Sequence, residues 1–204
     1  MAESRPGRLI AVDGALGRDV AEAGTSLYDS LTDRHVGAGV SRWDASGLFT
    51  DVASAPAAER DLSPRTLLLL YAADLAFRIR WEIEPALEQG LVIMAAPYVT
   101  TAITFGLATG MSHDWLRNLF RFAPSASRTV VLRDRKSQTP WKRKPDRGFG
   151  ECCTTLLQVT PEGFPRRRVR EDMVEALAAA AEKNGGLVRT RDLRRIAGEI
   201  AKKK

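Results

Sequence analysis

The feature that most constrains the fold is a long helix-forming stretch that leads directly into an apolar strand. SPRTLLLLYAADLAFRIRWEIEPALEQG, residues 63–90, begins with a serine suited to cap a helix and a proline suited to its first turn, and it ends at a glycine, a common helix terminator. LVIMAAPY follows at once, and its near-continuous apolar character is typical of a strand buried on both faces. Together they predict a parallel sheet covered by helices.

Strands and helices alternate along the rest of the chain. We expect strands at RLIAV (8–12), around 36–40, at TVVLRD and at LVRT. Helices are expected over about 20–33, at SHDWLRNLFRFA, at VREDMVEALAAAAEKNGG and at RDLRRIAGEIAKKK, and a loop with a short helix over 44–62. This order predicts an α/β fold with helices on both faces of a parallel sheet. A chain of 204 residues, 44% of them hydrophobic, is long enough for one compact domain over 1–204.

Charge and composition narrow the function classes. The net charge is +6, with the excess mostly after residue 127, which favours polyanionic partners such as nucleotides or nucleic acid. The only cysteines, Cys152 and Cys153, are adjacent and provide neither a disulfide framework nor metal-ligand spacing, so we predict no metal site and a reducing compartment. No apolar stretch approaches the roughly 20 residues of a membrane span. We expect a soluble cytoplasmic protein that binds no membrane.

A glycine-rich turn follows the first strand. VDGALGRDVAEAG, residues 12–24, has the outline of a phosphate-binding loop, with Gly14 and Gly17 in place. Val20 and Ala21 stand where such a loop needs a lysine for the phosphates and a hydroxyl for Mg²⁺. The residues allow two interpretations: a simple strand-to-helix turn, or a degenerate nucleotide site.

The order of segments resembles the thymidylate kinase family over nearly the whole chain. LSPRTLLLLYAADLAFRIRWEIEPALEQGLVIMAAPY resembles that family's helix, glycine turn and strand at the nucleoside monophosphate site, and SHDWLRNLFRFAP resembles its next helix. DRGFGE and FPRRRVREDMVEAL resemble the end of its lid and the helix that follows. The match is specific over 61–124 and weaker elsewhere. The resemblance implies a three-layer P-loop-type sandwich, often dimeric through helices, with a basic lid region over 133–168.

The family transfers the γ-phosphoryl group of ATP to thymidine monophosphate with Mg²⁺, and the residues that resemblance assigns to this reaction are largely replaced. Its P-loop lysine and metal-binding hydroxyl match Val20 and Ala21, and its last loop glycine matches Asp19. Further phosphate-binding arginines and a carboxylate are lost in YAADL at Leu75, in MAAPY at Ala96 and Pro97, and in TFGLATGM at Thr109. Each lost ionic hydrogen bond to phosphate is worth roughly 1.5 to 3 kcal/mol, so little phosphate affinity is expected.

The resemblance leaves a reduced set of candidate site residues. The candidate nucleotide contacts are Gly14, Gly17, Arg18, Arg143 and Arg147, and the candidate substrate contacts are Arg42, Tyr71 and Tyr98. The family sequence Arg-Glu-Pro-Gly-Gly-Thr corresponds by resemblance to RWDASG in this chain. Arg42 keeps the arginine, and Trp43 replaces the glutamate. Tyr71 keeps an aromatic face that can stack on a base, but the structural interpretation of Tyr71 and Tyr98, as core or cleft-lining residues, is the one we favour.

Three functions are therefore compatible with the sequence. The first is a thymidylate-kinase-like protein that has lost phosphoryl transfer and acts as a binding, regulatory or structural partner, with no cofactor. The second is a weak kinase that uses ATP and Mg²⁺, with Arg18, Asp44 and the lid arginines as compensating residues. The third is a nucleic-acid-binding module that uses the basic region and the C-terminal RTRDLRR and KKK. We expect a homodimer or another protein partner, which the resemblance places on the helix over 65–89.

Overall fold

The computed structural model describes residues 6–54, 62–133 and 166–202, and the structural statements below concern these residues. Four parallel strands form one sheet in the order β2-β3-β1-β4. The strands are β1 (Arg8–Asp13), β2 (Ala38–Arg42), β3 (Val92–Ala96) and β4 (Arg128–Val131). Leu132, just beyond β4, forms a parallel bridge with Val188, so the predicted strand at LVRT is reduced to a single pairing.

Eight α-helices accompany the sheet within the described residues. They are α1 (Gly17–Thr32), α2 (Leu48–Ser54), α3 (Pro64–Arg78), α4 (Glu84–Glu88), α5 (Val99–Ala108), α6 (His113–Leu119), α7 (Arg166–Glu182) and α8 (Leu193–Lys202). A π-helical segment, Ile79–Ile83, joins α3 to α4, and a 3-10 turn, Thr190–Asp192, precedes α8.

Helices cover both faces of the sheet, which confirms the three-layer α/β prediction. Ile10 and Val12 of β1 pack with apolar side chains of α1 and α8 on one face. Leu9 and Ala11 alternate with them and pack on the other face with side chains of α3, α5 and α7. Both sets are buried, which is why the strand sequence RLIAV is apolar throughout.

The helical region after Ser63 follows its sequence pattern closely. The Ser63 hydroxyl accepts a hydrogen bond from the backbone N–H of Thr66 at 3.1 Å, as a helix cap does. One apolar stripe of this region is buried along its whole length: Leu68, Ala72, Leu75, Ile79 and Ile83. The region ends at Gly90, whose φ of 75° lies in the left-handed conformation that favours glycine.

Other boundaries differ from the sequence expectation. Helix α1 begins at Gly17 rather than near residue 20, and β2 lies two residues later than expected. The helix α5 was not predicted at all, because its β-branched residues at 99–101, 103 and 104 have low helix propensity. Tertiary packing outweighs that propensity, since Ala102 and Phe105 are fully buried in the core.

Candidate functional site

The carboxyl ends of the parallel strands form the natural place for a site. Helix α1, which follows β1, lies on one face of the sheet, whereas α5, which follows the neighbouring strand β3, lies on the other. The two connections therefore diverge between β1 and β3, and in open α/β sheets ligands bind at such a divergence. Asp13, at the end of β1, and Pro97 and Tyr98, after β3, lie at this point.

Asp13 joins the two connections through its carboxylate. Its Oδ1 accepts hydrogen bonds from the backbone N–H groups of Tyr98 and Thr101, at 2.9 and 3.0 Å, and from the Thr101 hydroxyl at 2.8 Å. The Thr101 oxygen also accepts a bond from the backbone N–H of Gly14 at 3.2 Å. Burial raises the pKa of the Asp13 carboxyl above its ordinary value, and the hydrogen bonds from Thr101 and Tyr98 oppose that rise.

The first glycine-rich turn is short and closely packed. Only residues 14–16 separate β1 from α1, and neither Gly14 nor Gly17 has a positive φ. A Cβ added to Gly14 would lie 3.0 Å from the Val20 Cγ2 and 3.3 Å from the Leu132 Cβ. A side chain at position 14 would therefore be crowded by the apolar side chains of Val20 and Leu132.

Val20, three residues after Gly17, is part of the apolar core. Its side chain is 1% exposed and belongs to the core formed by β1, α1 and α8. Arg18, two residues earlier, is half-exposed and pairs with Glu22 at 3.4 Å on the same helix. Asp19 adds a negative charge to the first turn of α1, which suits the helix dipole but repels an anion at that end.

A fully buried arginine ties α3 to the ends of β2 and β3. The Arg78 Nε donates to the Ser41 hydroxyl at 2.9 Å, and its Nη2 donates to the carbonyl oxygens of Ser41 and Pro97, each at 2.9 Å. Its Nη1 lies 3.9 Å from the Asp74 Oδ2. Burial raises the pKa of the Asp74 carboxyl, and the neighbouring Arg78 charge opposes that rise.

Four buried aromatic side chains, Trp43, Phe49, Tyr71 and Phe120, form a cluster. The Trp43 ring stacks on the Tyr71 ring with centroids 4.7 Å apart, and Phe49 lies 4.1 Å from Trp43. Phe120 meets Tyr71 edge-on at 5.9 Å. The Tyr71 hydroxyl donates to the backbone carbonyl of Tyr98 at 2.7 Å.

The Tyr98 side chain is also fixed by a hydrogen bond to the backbone. Its hydroxyl donates to the carbonyl oxygen of Pro124 at 2.6 Å, and its side chain is buried. Burial, together with the Asp13 charge, raises the pKa of the Tyr98 hydroxyl well above its ordinary value. The phenol therefore stays protonated and serves here as a hydrogen-bond donor.

Asp44 follows Trp43 and joins this segment to α2 through hydrogen bonds of its carboxylate. Its Oδ1 accepts from the backbone N–H of Phe49 at 2.8 Å, and its Oδ2 accepts from the N–H and hydroxyl of Thr50 at 2.7 and 2.6 Å. These bonds cap α2. The backbone N–H of Asp44 donates to the Asp74 carboxylate at 3.3 Å, and Ser46 donates to it twice.

Arg42 lies apart from this buried network. Its Nη2 donates to the Thr25 hydroxyl of α1 at 3.1 Å, and its side chain is exposed. Arg42 and Arg194 line an open groove of about 790 Å³ along α1, together with hydroxyl groups and the carboxylates of Glu22, Asp29 and Asp33. The carboxylates outnumber the arginines, so this groove does not favour a phosphate group.

The predicted site residues are therefore only partly brought together. Gly14, Tyr71 and Tyr98 lie around the buried network, whereas Arg18 and Arg42 lie on the exposed side of α1. Arg143, Arg147, Cys152 and Cys153 lie outside the described residues, as does most of the basic region. In the described ranges, no cluster of three metal-ligating side chains occurs, and no helix is both long and apolar enough to cross a membrane.

Sequence reasoning missed the residues that organise the site, namely Asp13, Thr101, Asp74 and Arg78. One local signal was available. Asp74 and Arg78 are spaced i, i+4 on a helix whose neighbouring positions are apolar, a spacing that allows an ion pair. The partners of Asp13 are 85 to 88 residues away in sequence, so no local pattern marks them.

The chain is similar to several curated proteins over part of its length, although no protein-family model matches it. A probable thymidylate kinase of Thermococcus gammatolerans is 38% identical over 107 residues, 52% of this chain and 48% of that protein. Probable thymidylate kinases of Sulfolobus acidocaldarius and Pyrococcus abyssi are 30% identical over 100 residues and 36% identical over 64 residues. These matches span 50% and 31% of those two proteins, so the chain spans about half or less of each relative.

The fold similarity extends further than the sequence similarity. A crystal structure of thymidylate kinase from Ehrlichia chaffeensis superposes with a TM-score of 0.66, covering 96% of this chain and 98% of that one. Its sequence identity to this chain is 11%, so this likeness concerns the fold alone.

Proposed function

We propose that the chain is a divergent thymidylate-kinase-like protein that has lost phosphoryl transfer and acts as a binding, regulatory or structural partner. The observation that supports this most strongly is Val20, which is 1% exposed at the position that resemblance assigns to the P-loop lysine. Phosphoryl transfer depends on cations that neutralise the phosphate charge. A buried valine supplies no charge to neutralise a phosphate.

The residues around the turn do not fit Mg²⁺ and ATP either. Ala21 offers no oxygen to a metal, and Asp19 brings a negative charge to the helix end that would face a triphosphate. Asp44 uses both carboxylate oxygens to cap α2, so it is a poor substitute for the missing acid. We therefore propose that the chain uses neither ATP nor Mg²⁺ as a cofactor.

The test is formation of TDP from ATP and TMP by the purified protein with Mg²⁺. Ordinary kinases turn over at roughly 1 to 100 per second, and we expect no product above background here. The Thermococcus gammatolerans relative, assayed in parallel, is the positive control. Calorimetry with millimolar ATP and TMP separates loss of binding from loss of chemistry. Turnover near ordinary rates contradicts the proposal, whereas heat without turnover would show that the chain still binds a nucleotide.

An apolar face of α3 and the π-helical segment is the candidate partner surface. Leu69, Phe77 and Trp81 lie four or eight residues apart, and their side chains are 49%, 40% and 65% exposed. Exposed apolar groups at helical spacing suit a second helix laid against them. We propose that a second copy of this chain packs there. The charged rim includes Arg80, whose guanidinium lies 5.6 Å from the Trp81 ring centroid.

Sedimentation of the wild type and of Trp81→Glu tests this surface. The wild type should sediment as a dimer at micromolar concentration, and the variant as a monomer, because the substitution places a charge in the apolar interface. Leu187→Glu is the matched control, since Leu187 is a 37% exposed apolar residue in the connection between α7 and α8. A monomeric wild type turns attention to a complex with an active relative. A dimeric Trp81→Glu variant contradicts the surface.

Polyanion binding is a second candidate function, favoured by the arginines around the start of α8. Arg189, Arg191 and Arg194 are exposed, and none forms an ion pair with a residue in the described parts of the chain. The three exposed guanidinium groups lie within six residues and suit phosphate contacts, and Arg194 also lines the groove that carries the carboxylates of Glu22, Asp29 and Asp33. Replacing the three by glutamine should weaken salt-dependent binding to a short nucleic acid, whereas replacing Arg117 and Arg167, which pair with acids, should not. No binding of the wild type at low salt excludes this candidate.

A further inference from the structure

The Tyr71 ring is an aromatic platform whose face is occupied from within the chain. The indole of Trp43 stacks on it at 4.7 Å with an interplanar angle of 29°, and Trp43 is 3% exposed. Phe49 backs the indole at 4.1 Å, and Phe120 covers the edge of Tyr71. A planar bicyclic ring of the chain itself therefore covers one face of the Tyr71 ring.

The segment that carries Trp43 is anchored on both sides. Before it, Ser41 accepts hydrogen bonds from Arg78 through its hydroxyl and its carbonyl oxygen. After it, the Asp44 backbone donates to Asp74, and the Asp44 carboxylate holds the start of α2. The indole thus has little freedom to leave the Tyr71 ring unless these buried hydrogen bonds break.

The backbone at Asp44 points to the same conclusion. Its φ of 57° lies in the left-handed region, which non-glycine residues adopt seldom and aspartate more readily than most. This conformation reverses the chain immediately after Trp43. The side-chain bonds of Asp44 to Phe49 and Thr50 keep the reversal in place.

We propose that Trp43 is a built-in occupant that excludes a nucleobase from the Tyr71 ring, and is thus the residue that decides whether this site accepts a nucleoside. Every base has a flat π face that stacks on aromatic side chains, and an indole offers the same kind of face. An occupant tethered next to its site competes at an effective concentration that a dissolved ligand rarely reaches. This inference deepens the proposed function, because it gives a cause for lost substrate binding that is independent of the phosphate contacts.

Thymidine is the right probe, because it carries the base and sugar but no phosphate. We expect Trp43→Ala to bind thymidine at least tenfold more tightly than the wild type, measured by calorimetry and by the rise in melting temperature that native-state binding must cause. Phe49→Ala is the matched control, since it removes a buried ring from the same cluster while the indole stays on Tyr71. It should bind thymidine no better than the wild type.

Indole is the ring system that Trp43→Ala removes. Binding of indole by the variant would show that it is folded and contains the expected cavity. Should Trp43→Ala unfold, Trp43→Leu retains apolar volume while removing the stacked rings, and it is tested in the same way. A folded variant that binds indole but not thymidine overturns the proposal, as does thymidine binding by the wild type or equally by Phe49→Ala. TDP formation by the wild type contradicts the proposed loss of activity, whereas failure of the Trp43 variants to bind thymidine contradicts only the role given to Trp43.

Discussion

The Asp13 carboxylate at the end of β1 accepts hydrogen bonds from both the backbone N–H and the hydroxyl of Thr101, in the first turn of α5. The residue at the N-terminal boundary of α5, Tyr98, provides no side-chain cap of its own. Asp13 therefore supplies the cap from a different element, and it also accepts from the Tyr98 backbone. One buried carboxylate thus fixes how the helix after β3 begins relative to β1.

Stability should depend on pH through Asp13. Because burial raises its pKa in the folded protein, the folded state keeps the proton to a higher pH than the unfolded chain, in which the carboxyl titrates near 3.8. The stabilisation is complete below that value and is lost as pH rises through the folded pKa. The free energy of unfolding should therefore fall as pH rises, and Asp13→Asn should remove the contribution of Asp13 to that fall. The contribution of Asp74, whose pKa is also raised, remains in the variant.

The measurement is the free energy of unfolding by urea between pH 4 and pH 8 for the wild type and Asp13→Asn. Subtracting the two curves cancels the contributions of the other titrating groups. One of these is Glu199, whose pKa is lowered by its hydrogen bond with Arg128, so its contribution to stability rises with pH. The difference should shrink as pH rises. Parallel curves would show that Asp13 titrates alike in the folded and unfolded states.

Removing the buried guanidinium of Arg78 should be strongly destabilising. Arg78→Met leaves the Asp74 carboxylate without its neighbouring charge, and such a loss typically costs about 3 to 5 kcal/mol. The double variant Asp74→Asn with Arg78→Met should lose less than the sum of the two single variants. Arg80→Met, on the exposed side of the same helical region, should cost about 1 kcal/mol or less. Strictly additive losses in urea unfolding would mean that the two buried groups are not coupled.

A lysine at position 20, where the resemblance to thymidylate kinases expects one, should damage the core without producing nucleotide binding. Val20→Lys puts an ammonium group among apolar side chains of β1 and α8, and we expect a loss of about 3 kcal/mol or more near neutral pH. Because burial lowers a lysine pKa, the loss should be smaller at pH 10 than at pH 6. Val20→Met is the uncharged control and should show no such pH dependence. A Val20→Lys protein as stable as that control, with measurable ATP binding, would favour the weak-kinase hypothesis.

Asp44 should be required for both the α2 cap and the turn after Trp43. Asp44→Ala removes acceptors for Phe49 and Thr50 and leaves an alanine at a φ of 57°, so we expect a loss of about 2 to 4 kcal/mol. Asp44→Asn keeps one oxygen acceptor and tolerates the left-handed conformation, so its loss should be about half as large. Near-UV circular dichroism should change in the alanine variant, because the stacked Trp43 and Tyr71 rings lose their support. Equal stabilities of the two variants would contradict this role.

Local patterns predicted much of the scaffold. The Ser63 cap, the buried stripe from Leu68 to Ile83 and the doubly buried strand β1 depend on residues a few positions apart, and all three are present in the structure. The alternation of such elements was enough to predict the three-layer α/β fold. The resemblance to thymidylate kinases likewise marked Val20 in the sequence as a position where that family has a lysine. The proposed loss of phosphoryl transfer rests on this difference.

Contacts between distant residues decided the rest. The β-branched residues of α5 disfavour a helix locally, yet burial of Phe105 against the sheet makes it the stable conformation. Asp13 reaches Thr101 across 88 residues, and Arg78 reaches Ser41 across 37, because the parallel strands end at one edge of the sheet. Trp43 was read from the sequence as a missing acid, and only the tertiary structure shows its ring stacked on Tyr71. Propensity and periodicity are properties of neighbouring residues, whereas the occupant of a buried space is decided by all the elements that enclose it.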